Sequence, residues 1–293
     1  MLMKKIIGLF PGQGSQKVGM GASLFERYPD KIASANELLG YDLKILCLQD
    51  PANRLQQTKF TQPALYVVNA LSYSWFLEEN DPPDVLLGHS LGEINALQAA
   101  SVFDFETGLQ IVCERSRLMT EMEDGAMAAV MGFSLEEVQT MLSQYFPDLD
   151  VANLNAHSQT VISGPVESIE NAWDHFEEAG AGFTPLKVNR AFHSRYMQPM
   201  KNPFESFLRQ LNFDPLCIPV IANLTADYYD SKPVRIVESL VRQVDHAVLW
   251  KDSIELLLEE ESAEFVEFGE GKILSNLVKR IKKDQSKRVL AWP

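Results

Sequence analysis

Residues 84–92 have the sequence Asp84-Val85-Leu86-Leu87-Gly88-His89-Ser90-Leu91-Gly92. The apolar run at its start is typical of a strand that is buried on both faces of a parallel sheet, and residues 93–100 are compatible with a helix. The last five residues match the pattern G-x-S-x-G, in which a sharp strand-to-helix turn exposes a serine. Ser90 is therefore predicted to be a nucleophile. The alternative is a serine that only caps the following helix.

Strand-like and helix-like patterns alternate on both sides of this turn, which favours an α/β sheet with crossover helices. A first strand at 5–10 leads into a glycine-rich turn at 11–16. The other predicted strands outside the middle of the chain are 84–88, 219–223 and 264–268. The predicted helices there are 24–39, 62–79, 93–100, 106–122, 203–211, 233–244, 253–261 and a last basic helix.

The middle of the chain has a different order of predicted elements, β-α-β-β-α-β. Its strands are 126–132, 150–155, 159–163 and 183–189, and its helices are 134–145 and 166–179. This order is typical of a ferredoxin-like unit. The expected fold class is therefore α/β, with a large α/β-hydrolase-like domain around a parallel sheet (1–125 and 194–293) and an inserted small ferredoxin-like domain (126–193).

The composition excludes several classes of protein. With 293 residues, 46% of them hydrophobic, and a net charge of -14, the chain is neither disordered nor suited to bind nucleic acid or an anionic membrane. No apolar run approaches the ~18 residues of a membrane span, and the first ten residues lack a signal peptide. The three cysteines are too scattered for a disulfide framework or a metal site, and we expect them buried in a reducing compartment. We expect a cytoplasmic monomer.

A serine nucleophile requires a base, and the chain offers five histidines. His89 is next to Ser90 and should point elsewhere, and His175 falls within a predicted helix, where we expect it to be solvated. His193 lies where the small domain returns to the large one, and clefts form at such junctions. His193 is therefore the predicted base. The residues alone leave open whether a carboxylate or a backbone carbonyl orients its imidazole.

Three segments now combine into one pattern: Pro11-Gly12-Gln13-Gly14-Ser15-Gln16, Gly88-His89-Ser90-Leu91-Gly92-Glu93 and Ala191-Phe192-His193-Ser194. In this order they resemble the malonyl-CoA:acyl carrier protein transacylase family, including the discrete trans-acting acyltransferases of polyketide synthases. The similarity covers essentially the whole chain. It implies an S-malonyltransferase whose partners are malonyl-CoA and an acyl carrier protein, or the carrier domains of a polyketide synthase.

The resemblance also implies a role for each matching residue. Ser90 is similar to the serine that takes the acyl group, His193 to its base, Gln13 and Leu91 to the oxyanion-hole amides, Arg115 to the malonate clamp, and Gln243 to the residue whose carbonyl steadies the histidine. The chain departs from the family at Asp245-His246-Ala247-Val248, where Asn-Pro-Val is more common. This departure concerns the loop behind Gln243.

The chemistry of Arg115 supports the same role independently. A guanidinium can meet a carboxylate with two parallel charge-assisted hydrogen bonds, and an arginine within an apolar helix pattern needs a partner. The alternatives are an ion pair with Glu93 or a solvated helix face, which better suits Arg117. We expect no metal and no redox cofactor, because a thioester is already activated and no metal or dinucleotide motif is present.

Two other functions remain open at this point. An editing acyl hydrolase of the same fold would release acyl groups from carriers without a carboxylate clamp, and a non-catalytic protein would only dock carriers. The sequence does not separate fatty acid from polyketide biosynthesis, although residues 103–106 and 194–197 are more similar to the polyketide group. We also expect local basic residues, at 279–288 or Arg190 and Arg195, to receive the acidic partners.

Overall fold

The computed structural model describes residues 4–259 and 263–290, with side chains through residue 285. Its strands are β1 (Lys5–Phe10), β2 (Val85–Gly88), β3 (Ala126–Met131), β4 (Asp150–Ala156), β5 (Gln159–Gly164), β6 (Gly182–Pro185), β7 (Val220–Ile221) and β8 (Ala263–Glu267). Its α-helices are α1 (Ala22–Arg27), α2 (Pro29–Leu39), α3 (Leu43–Leu48), α4 (Thr58–Phe76), α5 (Gly92–Ala99), α6 (Phe105–Glu121), α7 (Leu135–Tyr145), α8 (Val166–Glu178), α9 (Lys201–Leu208), α10 (Pro233–Gln243), α11 (Trp250–Leu258) and α12 (Ile273–Leu290).

The larger part of the fold is built around a parallel sheet of four strands in the order β7-β2-β1-β8. All four residues of β2 are buried, as its continuous apolar sequence predicts. Because β1 and β2 are parallel and Phe10 pairs with Gly88, both strands end at the same edge of the sheet. The loops at 11–16 and 88–92 therefore meet there.

The second sheet is antiparallel, with the strand order β4-β5-β3-β6. Helices α7 and α8 pack against it around a separate core that includes Val138, Ile169 and Phe176. Helix α7 begins with the capping box that the sequence predicts, in which Ser134 and Glu137 bond each other's backbone. The chain order β3-α7-β4-β5-α8-β6 confirms the ferredoxin-like arrangement. The exact domain boundaries stay a prediction.

Several predicted elements differ from the structure. The single helix expected at 24–39 is two helices, because Pro29 starts a new one at its N1 position. Helix α3 has no counterpart in the prediction, although Asp42 caps it. The predicted helix at 203–211 is α9, which begins at Lys201 and follows a 3₁₀-helix at Arg195–Met200. The predicted end of α11, at residue 261, lies outside the described residues.

The strand expected at 183–189 is shorter than predicted. It ends at Pro185, and a tight turn in which the Val188 amide donates to the Leu186 carbonyl at 2.9 Å leads the chain away from the sheet. His193 therefore lies on an irregular segment beyond β6 and not at the end of a strand. The cysteines also differ in part from expectation, because Cys47 is buried but Cys217 is exposed. Among the described residues, no helix is long and apolar enough to cross a membrane.

Glycines allow the elbow after β2 to pack against its surroundings. A Cβ atom on Gly88 would lie 1.9 Å from the Gly92 carbonyl carbon, and one on Gly92 would lie 2.0 Å from the carbonyl oxygen of Phe10. Both contacts are with backbone, which cannot move aside without shifting β1 or α5. The spacing of the two glycines is thus a steric requirement of this turn.

We predict that Gly92→Ala lowers the free energy of unfolding by about 3 kcal/mol or more, because the new methyl group overlaps the β1 backbone. Urea-induced unfolding followed by circular dichroism measures the change. Gly182→Ala is the matched control, since its Cβ would meet only Met131 at 3.5 Å, and it should change stability by less than about 1 kcal/mol. Equal stability of the two variants would contradict the packing argument.

Candidate active site

Ser90 sits at the tip of the elbow in a left-handed backbone conformation, with φ of 53°. Non-glycine residues rarely adopt this conformation, and they do so mostly where surrounding contacts fix them. Here Asn223, just after β7, accepts a hydrogen bond from the Ser90 amide at 2.7 Å and donates one to the Gly88 carbonyl at 2.6 Å. Asn223 therefore holds the elbow from the neighbouring strand, a contact that sequence analysis did not predict.

His193 lies directly against the serine. Its Nε2 atom is 2.7 Å from Ser90 Oγ, and its Nδ1 atom is 2.9 Å from the carbonyl oxygen of Gln243 and 3.2 Å from that of His246. Because carbonyl oxygens only accept, Nδ1 carries the proton and Nε2 is free to accept one from the serine hydroxyl. The sequence left open whether a carboxylate or a backbone carbonyl orients this imidazole, and in the structure backbone carbonyls do so. One of them belongs to His246, in the divergent loop at 245–248.

The electrostatic environment keeps this imidazole neutral. Burial, together with the positive charge of Arg115, lowers the pKa of His193 to about 3. The backbone carbonyls at Nδ1 oppose this shift only in part. A neutral imidazole next to a serine hydroxyl is in the protonation state that a general base requires.

Arg115 is buried on α6, with 1% of its surface exposed. Its guanidinium donates to Gln62 Oε1 at 2.9 Å, Ser90 Oγ at 3.0 Å and Gln243 Oε1 at 3.0 Å. Burial lowers its pKa to about 10, so it stays charged at neutral pH. The solvated-face alternative is therefore wrong for Arg115. Arg117 is half-exposed and pairs with Glu114 and Glu121.

Glu93 lies behind this arginine, fully buried on α5. It is joined to Arg115 through the side chain of Gln243, which bonds both of them. Burial raises the pKa of the Glu93 carboxyl group to about 7, while hydrogen bonds from Tyr229, Gln243 and the Asn223 backbone oppose the shift. Glu93 and Arg115 therefore do not form a direct ion pair, and the side chain of Gln243 links them.

Gln13 and Leu91 border the same cavity, whose volume is about 80 Å³. The loop that carries Gln13 is pressed against the elbow, because a Cβ atom on Gly12 would lie 2.4 Å from the His89 carbonyl oxygen. Apolar side chains form much of the rest of the wall: Met119, Met127, Leu186, Val188 and Phe192. Of the predicted site residues, Gln13, Ser90, Leu91, Arg115 and His193 line one cavity, and Gln243 lies behind it.

The remaining histidines have other partners. His89 Nε2 lies 2.9 Å from Asn155, His157 contacts Glu255, and His246 contacts Asp245. His175 is exposed on α8, as predicted.

The basic residues proposed to receive acidic partners are partly neutralised. Arg190 pairs with Asp124, and Arg195 donates to Asp150 through its backbone amide and two guanidinium nitrogens. On α12, Arg280 donates to Gln159 at 2.7 Å. The side chains of Lys287 and Arg288 lie outside the described residues. The contribution of these positive charges to partner binding stays a prediction.

The fold and these contacts define a class of protein. A serine at a strand-to-helix elbow, hydrogen-bonded to a neutral histidine, is the arrangement used for acyl transfer through a serine. Comparison with protein families identifies the family to which the chain belongs. Residues 8–289 match the acyl transferase domain, and the chain belongs to this family.

Individual relatives are similar over nearly their full length. The polyketide biosynthesis malonyl CoA-acyl carrier protein transacylase BaeC of Bacillus velezensis is 49% identical over 280 residues, which cover 94% of this chain and 96% of BaeC. A crystal structure of malonyl CoA-acyl carrier protein transacylase from Burkholderia pseudomallei has a TM-score of 0.93 at 43% identity, covering 96% of this chain and 99% of that one.

A third similar structure is a malonyl-transacylase, PlMCAT, in complex with the type II polyketide synthase acyl-carrier protein AntF. It has a TM-score of 0.90 at 32% identity and covers 95% of this chain and 93% of that one. Together these similarities confirm the predicted family and fold class.

We predict that His193 remains neutral from pH 8 down to about pH 5, because its pKa lies below the ordinary value of about 6.5. Burial and the positive charge of Arg115 both disfavour protonation of His193. The pKa of His193 should therefore be higher in the Arg115→Ala variant than in the unmodified protein. Two-dimensional ¹H–¹⁵N NMR measures the protonation of the His193 imidazole in both proteins as the pH is lowered. The signals of His193 are assigned by their absence from the His193→Gln variant. A midpoint near 6.5 in the unmodified protein would rule out the buried, neutral imidazole.

Proposed function

We propose that this protein is an acyl-carrier-protein S-malonyltransferase. It moves a malonyl group from malonyl-CoA to Ser90 and then to the phosphopantetheine thiol of an acyl carrier protein. The observation that carries the proposal is the convergence on one hydroxyl group: Ser90 Oγ lies 2.7 Å from a neutral imidazole and 3.0 Å from a buried guanidinium. The names of the similar proteins support the choice of malonyl-CoA and a carrier protein.

In the first half-reaction, Ser90 Oγ attacks the thioester carbonyl carbon while His193 Nε2 accepts the hydroxyl proton. The negative charge that develops on the carbonyl oxygen is stabilised by the backbone amides of Gln13 and Leu91. The tetrahedral intermediate collapses by breaking the carbon–sulfur bond. Coenzyme A leaves with the proton from His193, and the malonyl group remains as an ester on Ser90.

In the second half-reaction, the same residues act in reverse order. His193 accepts the proton of the carrier's thiol, whose sulfur attacks the malonyl ester. The carbon–oxygen bond then breaks, and the proton passes from His193 back to Ser90 Oγ. The cycle needs neither a metal nor a redox cofactor, because the thioester is already activated and no atom changes its oxidation state.

Arg115 gives this site its preference for an acyl group with a free carboxylate. Among the described residues, the hydrogen bonds of its guanidinium go to neutral oxygens in the resting site. A malonyl carboxylate that replaces one of these oxygens gains charge-assisted hydrogen bonds in a cavity with largely apolar walls. An acetyl group offers no such interaction.

The proposed carrier belongs to a polyketide synthase. The name of the Bacillus velezensis relative supports this pathway, as do the segments at 103–106 and 194–197. We also propose that the protein acts in the cytoplasm. The three free cysteines suit a reducing compartment.

Ser90→Ala is predicted to abolish covalent malonyl loading, because no other described nucleophile contacts the His193 imidazole at Nε2. Intact-protein mass spectrometry after incubation with malonyl-CoA measures the label. The control is Ser143→Ala, which removes an exposed hydroxyl on α7 and should load normally. Loading of Ser90→Ala would contradict the proposed nucleophile.

The same experiment separates the competing functions. A transferase keeps its label until a carrier protein with a phosphopantetheine arm is added, and the label then appears on the carrier. An editing hydrolase would release free acid without accumulating the label, and a docking protein would not be labelled at all.

Replacing Arg115 should weaken malonyl loading far more than acetyl loading. For Arg115→Ala we expect kcat/KM for malonyl-CoA to fall by about a hundredfold or more, since a buried charged hydrogen-bonding partner is lost. Arg115→Met keeps the bulk of the side chain in case the alanine variant is unstable, and Arg117→Ala is the exposed control. Loss of malonyl and acetyl reactivity by the same factor would show that Arg115 is structural.

A further inference from the structure

Glu93 has no part in the chemistry described above, yet it is one of the most completely buried polar groups in the molecule. Its Oε1 atom accepts from the Tyr229 hydroxyl at 2.5 Å and from the backbone amide of Asn223 at 3.2 Å. Its Oε2 atom accepts from Gln243 Nε2. A buried carboxylate is costly unless it is well satisfied, so these donors form a built environment for a negative charge.

The carboxylate fixes the orientation of the Gln243 side chain. In its ionised form, which dominates above its pKa of about 7, the Glu93 carboxyl group only accepts hydrogen bonds, so the amide nitrogen of Gln243 faces Glu93 and the amide oxygen faces the other way. That oxygen accepts from Arg115 at 3.0 Å, while the nitrogen also donates to the Ser90 carbonyl at 3.0 Å. With the amide reversed, two donor groups would face each other at Arg115.

The second branch from Glu93 leads to the elbow. Its Oε1 atom holds the backbone amide of Asn223, and the side chain of Asn223 holds the backbone of Ser90 and Gly88. One carboxylate is thus connected to the guanidinium through Gln243 and to the serine through Asn223. The backbone carbonyl of Gln243 additionally holds His193.

We propose that Glu93 is a positioning residue for acyl-group selection: through Gln243 it holds Arg115 ready for the substrate's carboxylate. The inference rests on the proposed function. The negative charge lies one side chain away from the guanidinium, so it balances the buried positive charge without occupying the donors that the substrate uses. A carboxylate in direct contact with Arg115 would have to be displaced by each incoming malonyl group.

The test is Glu93→Gln, which keeps the size of the side chain but replaces one oxygen with an amide nitrogen. The Tyr229 hydroxyl and the Asn223 backbone amide both donate to Oε1, so the new nitrogen takes the place of Oε2 and faces Gln243 Nε2. Two donors then face each other, and the Gln243 amide reverses. The reversal turns a donor toward Arg115. We expect kcat/KM for malonyl loading to fall by about tenfold or more through a higher KM. Acetyl loading should fall by a much smaller factor, so the malonyl-to-acetyl ratio falls.

A charge-swapped variant makes the test sharper. In Glu93→Gln/Gln243→Glu, the amide at 93 can donate to the carboxylate at 243, and that carboxylate now contacts Arg115 directly. The hydrogen bonds that join positions 93, 243 and 115 are restored, although the bond to the Ser90 carbonyl is lost, and the guanidinium is occupied. We expect thermal stability closer to that of the unmodified protein than in Glu93→Gln alone, while the malonyl-to-acetyl ratio remains low. A ratio restored to the unmodified value would overturn the proposal.

Glu267→Gln is the matched control. It makes the same chemical change in a half-buried carboxylate that accepts from the amides of Leu274 and Ser275, near the start of α12. It should lower the melting temperature without changing the malonyl-to-acetyl ratio. If Glu93→Gln behaves like Glu267→Gln, Glu93 is merely structural. If the unmodified protein fails to load malonyl at all, the proposed function itself is wrong.

Discussion

The positive charge buried on Arg115 constrains the arrangement of the whole site. Moving a charged group out of water costs several kcal/mol unless polar groups replace the lost hydration. Here the replacements come from α4, α10 and the elbow, through Gln62, Gln243 and Ser90. Three separate parts of the chain must therefore converge on α6, and the same convergence places the C-terminal end of α10 against the imidazole of His193.

The parallel sheet supplies the frame for this convergence. Neighbouring parallel strands end at one edge, so β1, β2 and β7 deliver their following loops to the same place. The loop after β1 brings Gln13, the loop after β2 brings Ser90, and the residues after β7 bring Asn223. The second sheet completes the cavity, since Met127 of β3 and Asn153 of β4 also line it.

The sequence predicts those features that depend on local patterns. The buried strand before Gly88, the glycines of the elbow and the capping box at Ser134 each involve residues within a few positions of one another, and the structure has all three. Pro29 is also a local signal, for a helix start, but the apolar pattern around it suggested one helix at 24–39. Asp42 is a local signal for a helix cap, but no helix was predicted after it. The strand β6 was predicted, but its end at Pro185 was not, because apolar residues continue past that position.

The partners of the site residues are a different case. Asn223 and Tyr229 are more than 100 positions from Glu93, and no periodicity in a single sequence relates polar side chains so far apart. Gln62 lies in the first turns of α4, between Thr61 and Pro63, and its sequence context gives no sign of its partner. The motif carrying Ser90 includes Glu93, so the residue itself was visible. Its function depends on contacts that only the folded chain creates.

The buried position of Arg115 also limits what the net charge of the molecule predicts about its ligands. A net charge of -14 describes the whole surface, but exposed charges are screened by salt over about 8 Å, whereas a buried charge is screened much less. A carboxylate that enters the cavity therefore interacts more strongly with the guanidinium of Arg115 than with the screened charges on the surface. Arg115 lines the cavity whereas Glu93 does not, so an anion that enters the cavity meets the guanidinium and not the carboxylate. Net charge argues against long polyanions such as nucleic acid, whose contacts extend over a wide surface, but it does not predict the sign of a ligand that enters one pocket.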